Sequence, residues 1–153
     1  MEEKKSEQLE TTQYIVVKLG NEQYGINIRF VDNIVRMQRI TRVPKAQNYF
    51  KGVINIRGEV IPVMSLRLRF GLDADEYKNS TRILIIKTEP QAAIGMIVDE
   101  VKEVITLDEE NIDKLSGGND EKSTFVFGVG KQQDSLVSLL NIQAVLAEKE
   151  NAQ

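Results

Sequence analysis

Apolar residues come in short runs along this chain, broken at close intervals by glycine, proline, asparagine or clustered charge, and no helical periodicity is sustained. Gly52–Leu66 is the clearest case: Val53, Ile54 and Ile56, then Val60, Ile61, Val63 and Met64, flank the polar Arg57-Gly58-Glu59. Two β-branched runs around a glycine that supplies a positive φ predict a hairpin with an arginine at its tip. Pro62 lacks an N–H, which places it at an edge, a bulge or a strand boundary. The same reading gives a first hairpin from Gln13–Leu19 and Gln23–Ile28 across Gly20-Asn21-Glu22. Val31, Ile34 and Val35 fit either a short helix or a strand. Ile40–Pro44 is extended before its proline, and Lys45–Lys51 is a loop that displays Tyr49 and Phe50. Leu66 and Phe70, with Gly71 as a stop, predict one short helix.

Beyond the polar loop Asp73–Ser80, Thr81–Lys87 is an almost unbroken apolar run, the pattern of a strand buried on both faces. Ala92–Val98 pairs with it, and Asp99–Leu107 is a strand with a bend. Asp108–Lys122 is an acidic, Gly-rich connector with at most a helical turn around Ile112 and Leu115. Thr124–Val129 and Ser135–Leu140 form a last hairpin, after which Asn141 caps a helix carrying Ile142, Val145 and Leu146. Residues 1–12, polar and aperiodic, are expected to be a disordered tail and 149–153 a second tail, around one domain, 13–148. Eight to ten short strands with little helix point to a mainly β fold, a barrel or pair of barrels, with a sandwich as the alternative and no internal repeat to decide.

Composition narrows the chemistry. With no Cys and no His, disulfides, thiolate nucleophiles, imidazole catalysis and the usual zinc sites are excluded. No EF-hand loop and no phosphate-binding glycine motif is present. The N-terminus lacks the apolar core of a signal peptide and no run approaches the roughly 20 residues of a membrane span, so a cytoplasmic protein is expected. The net charge of −3 hides an asymmetry: Arg29–Arg69 holds nine basic residues against Asp32 and Glu59, +7 locally, leaving −10 on the remainder. Such a split favours steering of an acidic partner onto one surface.

In order and spacing, YGINI at 24–28, VDNI at 31–34, RVP at 42–44, YFKGVINIRGEVIPV at 49–63, LRLRFGL at 66–72, GMIVDEV at 95–101 and SLLNIQAVL at 138–146 resemble the bacterial chemotaxis adaptor family CheW. The length leaves no room for a receiver or kinase domain, which is similar to the stand-alone adaptor; the related regulatory domain of the kinase CheA is the alternative source of such a sequence. The resemblance implies two intertwined five-stranded SH3-like barrels sharing a hydrophobic core, with a short C-terminal helix. It implies no active site and no cofactor. Its implied partners are the histidine kinase CheA, through its regulatory domain, and the cytoplasmic tips of methyl-accepting chemoreceptors, with recruitment to membrane-associated receptor arrays but no membrane insertion and no nucleic acid.

By motif, the resemblance puts Asn55 and Arg57 in NIRG, Gly95 and Val98 in GMIVD, and Val104 on the receptor side. It puts Val31, Asn33 and Ile34, with Gly52, on the kinase side. Asn33 stands where the family commonly has Glu, and Ser65 where Asp often precedes LR. Each position also has a structural reading. The glycines serve backbone needs, Gly58 above all. Val98 and Val104 lie in runs that usually fill a core. A lone tip arginine is usually solvated, although its planar donor head suits an interface. Asp99, Glu100 and Glu103 read as a charged strand face rather than a metal site. The runner-up function is a small barrel binding nucleic acid through the basic segment and Tyr49, Phe50 and Phe70. An enzyme of unknown type ranks third.

Overall fold

The computed structural model describes residues 10–44, 46–90, 92–115 and 125–147. The chain is mainly β, with strands β1 (Thr11–Leu19), β2 (Glu22–Asn27), β3 (Val31–Arg36), β4 (Phe50–Ile56), β5 (Glu59–Ser65), β6 (Arg82–Glu89), β7 (Ala92–Val98), β8 (Glu100–Asp108), β9 (Ile112–Lys114), β10 (Val126–Gln132) and β11 (Ser135–Leu140). Two short helices follow β5 and β11: α1 (Leu66–Arg69) and α2 (Ile142–Leu146). Serine and asparagine stop each preceding strand by the same device, the Ser65 hydroxyl accepting from the N–H of Leu68 and the Asn141 amide oxygen from that of Ala144. Ser65 is thus a helix cap. Gly71, at φ 77°, ends α1.

The strands make two sheets, ordered β8-β1-β2-β11-β10-β9 and β3-β6-β7-β5-β4. Both are open among the described residues, and the end of the second is drawn in where Thr41 bridges to Val53 of β4, with N···O distances of 2.9 and 2.8 Å. The first sheet has six strands instead of five because Ile112–Lys114, expected near a helical turn, is a strand against β10. Residues 116–122 of that connector, residue 123, and Thr124 of the expected last hairpin lie outside the described residues. β1 begins two residues ahead of Gln13, with Thr11 opposite Asp108 and Thr12 opposite Leu107. The ambiguous segment from Val31 is a strand, paired with β6 from Ile86 to Arg82.

Laid side by side, the sheets reveal a repeat. In one, β8-β1-β2 are antiparallel, β2-β11 parallel and β11-β10 antiparallel; in the other, β3-β6-β7, β7-β5 and β5-β4 run in the same senses. Gly52 and Gly128 follow matching register shifts, Arg57 and Gln133 occupy matching turns at φ 55° and 54°, and Ser65 and Asn141 cap matching helices. The halves are exchanged: β1-β2 join strands from the second half of the chain, and β6-β7 join strands from the first.

Exchange explains why β1 and β6 are apolar without alternation. Tyr14 and Val16 face a small core inside the six-stranded sheet, while Ile15, Val17 and Leu19 face a central one; Ile83 and Ile85 face a core inside the five-stranded sheet, while Leu84 and Ile86 meet the central one. The central core also takes Met96 and Val98, Leu66 of α1, and Ile142 and Val145 of α2. Both faces of these strands leave water, so each must be apolar. Tyr49 corrects an expectation: it is not displayed on a loop but 7% exposed in the central core, with Phe50 half-buried and stacked on it, ring centroids 5.5 Å apart. Lys45 lies outside the described residues.

Candidate functional site

The β4–β5 turn is built around a residue with an unusual backbone. Arg57 (φ 55°) and Gly58 (φ 84°) both lie in the left-handed region, the pattern of a two-residue type I′ turn whose twist matches the strands it joins. Glycine takes that conformation freely, whereas arginine at positive φ is uncommon and costs of order 1 kcal/mol. The amide oxygen of Asn55 accepts from the N–H of Gly58 at 3.0 Å and brackets the turn. Asn55, Arg57 and Gly58 are all exposed, and the Arg57 guanidinium has no hydrogen bond or ion pair among the described residues. The result is a cation with free donors on a rigid corner.

The other expected receptor-side positions differ in kind. Val104, in the middle of edge strand β8, is 49% exposed and is an apolar surface residue. Gly95 is buried in β7 beside β5, where an added Cβ would come within 2.8 Å of Ile83 Cγ2 and 3.2 Å of Val63 Cγ2. Val98 is fully buried in the central core. Both positions are explained by packing, Gly95 by its close approach to Ile83 and Val63 and Val98 by the central core.

On β3, Asn33 and Ile34 are exposed and Val31 is half-buried, on a strand whose one pairing among the described residues is with β6. The Asn33 amide oxygen accepts from the N–H of Ile34. Gly52 sits at the far edge of the same sheet, but the chain leaving β3 folds over it: a Cβ there would lie 2.1 Å from the Thr41 carbonyl oxygen. Its φ of 140° and this contact make glycine obligatory where the two edges meet.

The basic segment is divided by its partners. Arg67 grips Asp99 through Nε (2.8 Å) and Nη2 (2.7 Å), and Asp99 also accepts from the N–H of Gly20, so α1, the β7–β8 corner and the β1–β2 turn are tied together. The guanidinium holds the Asp99 carboxyl below the usual carboxylate range. Arg69 donates to the carbonyls of Val145 and Ala147 at 2.7 and 2.6 Å and lies over the rings of Tyr49 and Phe125. Asp75 accepts from Ser65 Oγ, and burial pushes its pKa up. Sequence reasoning passed over Arg67, Arg69 and Asp75; the only signal was the odd placement of two arginines in a helix one turn long. Arg29, Arg36, Arg39, Arg42 and Arg57 remain exposed. No group of three or more acidic residues among the described ones is placed to hold a metal ion, and none of the described helices is long and apolar enough to cross a membrane.

Comparison with known proteins follows the same outline. A family model described as a CheW-like domain matches residues 13–150. Chemotaxis protein CheW of Helicobacter pylori is 36% identical over 143 residues, covering 94% of this chain and 86% of the relative. That of Bacillus subtilis is 36% identical over 140 residues, covering 91% and 88%. The crystal structure of scaffolding protein TtCheW from Thermoanaerobacter tengcongensis superposes with a TM-score of 0.77 at 32% identity, covering 84% of this chain and 88% of that one.

Proposed function

The chain belongs to the CheW-like family, and on that footing we propose that it is a non-enzymatic chemotaxis scaffold that couples the cytoplasmic tips of chemoreceptors to the histidine kinase CheA. It acts in the cytoplasm and joins receptor arrays by binding, without inserting into the membrane. One observation carries the receptor side: Arg57 presents, from a rigid turn with Asn55 beside it, a guanidinium that has no partner among the described residues. The turn fixes the backbone that carries the arginine, and the guanidinium offers five donors to carboxylates or to the carbonyls at a helical hairpin tip. Val104 adds an exposed apolar contact, while Gly95, packed against Val63 of β5, and Val98, in the central core, act through packing rather than by contact. The kinase side is the exposed edge of β3, through Val31, Asn33 and Ile34, with Gly52 letting the following segment close over β4.

Regulation in such a scaffold passes through relative placement of two bound partners, with no bond made or broken in the protein. Arg57→Glu is the test. An exposed, unpartnered side chain implies a stability change within about 0.5 kcal/mol. Loss of charge-assisted bonds and reversal of sign at an interface centre should weaken a receptor tip by about 30-fold, roughly 2 kcal/mol, and leave the kinase regulatory domain unaffected. Unchanged receptor affinity in a folded variant removes Arg57 from the contact; equal loss for both partners refutes the division into two surfaces.

A further inference from the structure

Between the chain that leaves β3 and the start of β4 lies a groove of about 670 Å³ lined by the apolar Met37, Ile40, Val43 and Phe50 and by Tyr77 from the 73–80 loop. We propose that this groove is a docking site for an acidic, apolar peptide segment of a partner protein. None of the positions assigned above to receptor or kinase lines it, although it contains the RVP motif at 42–44, which those assignments leave unused.

Three observations select this occupant. The first is charge. Arg42 and Lys51 line the groove, and among the described residues no carboxylate does. From Asn33 to Gly58 the chain has no Asp or Glu, against Arg36, Arg39, Arg42, Lys45, Lys51 and Arg57. Arg36, Arg39, Arg42 and Lys51 enter no ion pair among the described residues. The acids that precede Tyr77 in its loop are engaged elsewhere: Asp75 accepts from Ser65, and Glu76 lines a separate polar hollow with Lys18 and Arg67 and lies 3.9 Å from Lys78. A cationic groove of this kind steers acidic segments and gives them specificity.

The second is exposed apolar area. Val43 is 47% and Tyr77 50% exposed, both lining one concave surface, where burial by a ligand is favourable. The third is the main chain. Met37–Ile40 and Arg42–Val43 belong to neither helix nor sheet ladder, so their amides and carbonyls are open to an extended peptide. The lining favours peptide over nucleic acid. Stacking bases needs successive exposed aromatic faces, and here Phe50 is half-buried against Tyr49, leaving Tyr77 alone among aliphatic Met37, Ile40 and Val43.

The experiment is selection of a displayed library of short random peptides on the full chain, followed by titration of the enriched synthetic peptides and of a single-stranded oligonucleotide. Peptides that combine Asp or Glu with Leu, Ile or Phe should be enriched. Their affinity should fall about tenfold or more in Arg42→Glu/Lys51→Glu, fall in Tyr77→Ala at unchanged charge, and weaken with salt. Arg42→Gln/Lys51→Gln serves the same purpose if the glutamate pair unfolds. No enrichment, enrichment without acidic residues, or binding indifferent to these variants overturns the proposal. So does an oligonucleotide that binds more tightly than the peptides and is lost in the same variants. Receptor and kinase titrations in the Arg57→Glu protein are independent of every one of these outcomes.

Discussion

Arg69 ties α1 to the end of α2 and to aromatic rings from both halves of the chain, and Arg69→Met should show what that tie contributes. Its Nε donates to the Val145 carbonyl at 2.7 Å and its Nη2 to that of Ala147 at 2.6 Å, with a weaker contact to Ala144 at 3.4 Å. These are the carbonyls that the end of α2 leaves without partners. The guanidinium carbon lies 4.7 Å from the Tyr49 ring centroid and 4.8 Å from that of Phe125, so one cation stands between an aromatic of each half of the chain. A hydrogen bond to a charged group contributes about 1.5–3 kcal/mol and a cation–π contact about 0.5–2. The bond to Ala147 is exposed and counts at the low end, and the terms overlap, so the sum is about 3 kcal/mol rather than the total of the maxima. Methionine keeps the aliphatic packing and removes only the polar head. For a domain of this size that loss lowers the thermal midpoint by about 6–12 °C. Differential scanning calorimetry on wild type, Arg69→Met and Arg69→Lys checks it; lysine keeps the charge but not the fork, and should recover less than half. A methionine variant within about 1 kcal/mol of wild type would refute the clasp.

Gly52→Ala should cost more than about 3 kcal/mol, since its Cβ would collide with the Thr41 carbonyl at a backbone angle alanine resists; urea denaturation measures this, and loss of protection at the Val53 amide in hydrogen exchange locates it. Arg57→Gly should stabilise the fold by about 0.5–1 kcal/mol, because glycine occupies positive φ without strain, while weakening a receptor tip; a destabilised glycine variant would contradict the turn geometry. Asp99 has a depressed pKa in the fold, so its contribution is present above the unfolded carboxylate pKa of about 3.9 and is lost as pH falls through the lower folded value. Asp99→Asn should therefore be destabilising at pH 7 and approach wild type in strong acid, as denaturation across pH will show. Asp75 has the opposite sign: its folded pKa is raised, so protonation stabilises it below about pH 4, and stability declines as pH rises through the folded value. Asp75→Asn should abolish that decline while keeping the Ser65 bond to its amide oxygen.

The candidate site was legible where local chemistry specifies it. An Arg-Gly pair between two β-branched runs puts an arginine at a corner whatever the rest of the chain does, and Asn55 supplies its own bracket. Val104 and Val98 show the limit. Both are valines in apolar runs, and their fates, half-exposed on an edge strand and fully buried in the central core, depend on which strands lie beyond them. Tyr49 shows it again: next to Phe50 before a strand it reads as displayed, until the Arg69 guanidinium and the central core close over it.

By itself the sequence determined the hairpins, the two capped helices and the doubly apolar character of Thr81–Lys87, because turn chemistry, capping and face alternation act over a few residues. The repeat was invisible at that level. Gly52 and Gly128 are alike, but Ser65 answers to Asn141, Leu66 to Ile142 and Arg57 to Gln133, since a matching site needs only a cap, a volume or a tolerated turn conformation and not the same residue. Only the tertiary structure decided that the halves exchange hairpins. β1 and β6 are apolar on both faces, and each is removed from water on both faces only by standing between a sheet core and the central core, which requires partners from the opposite half of the chain.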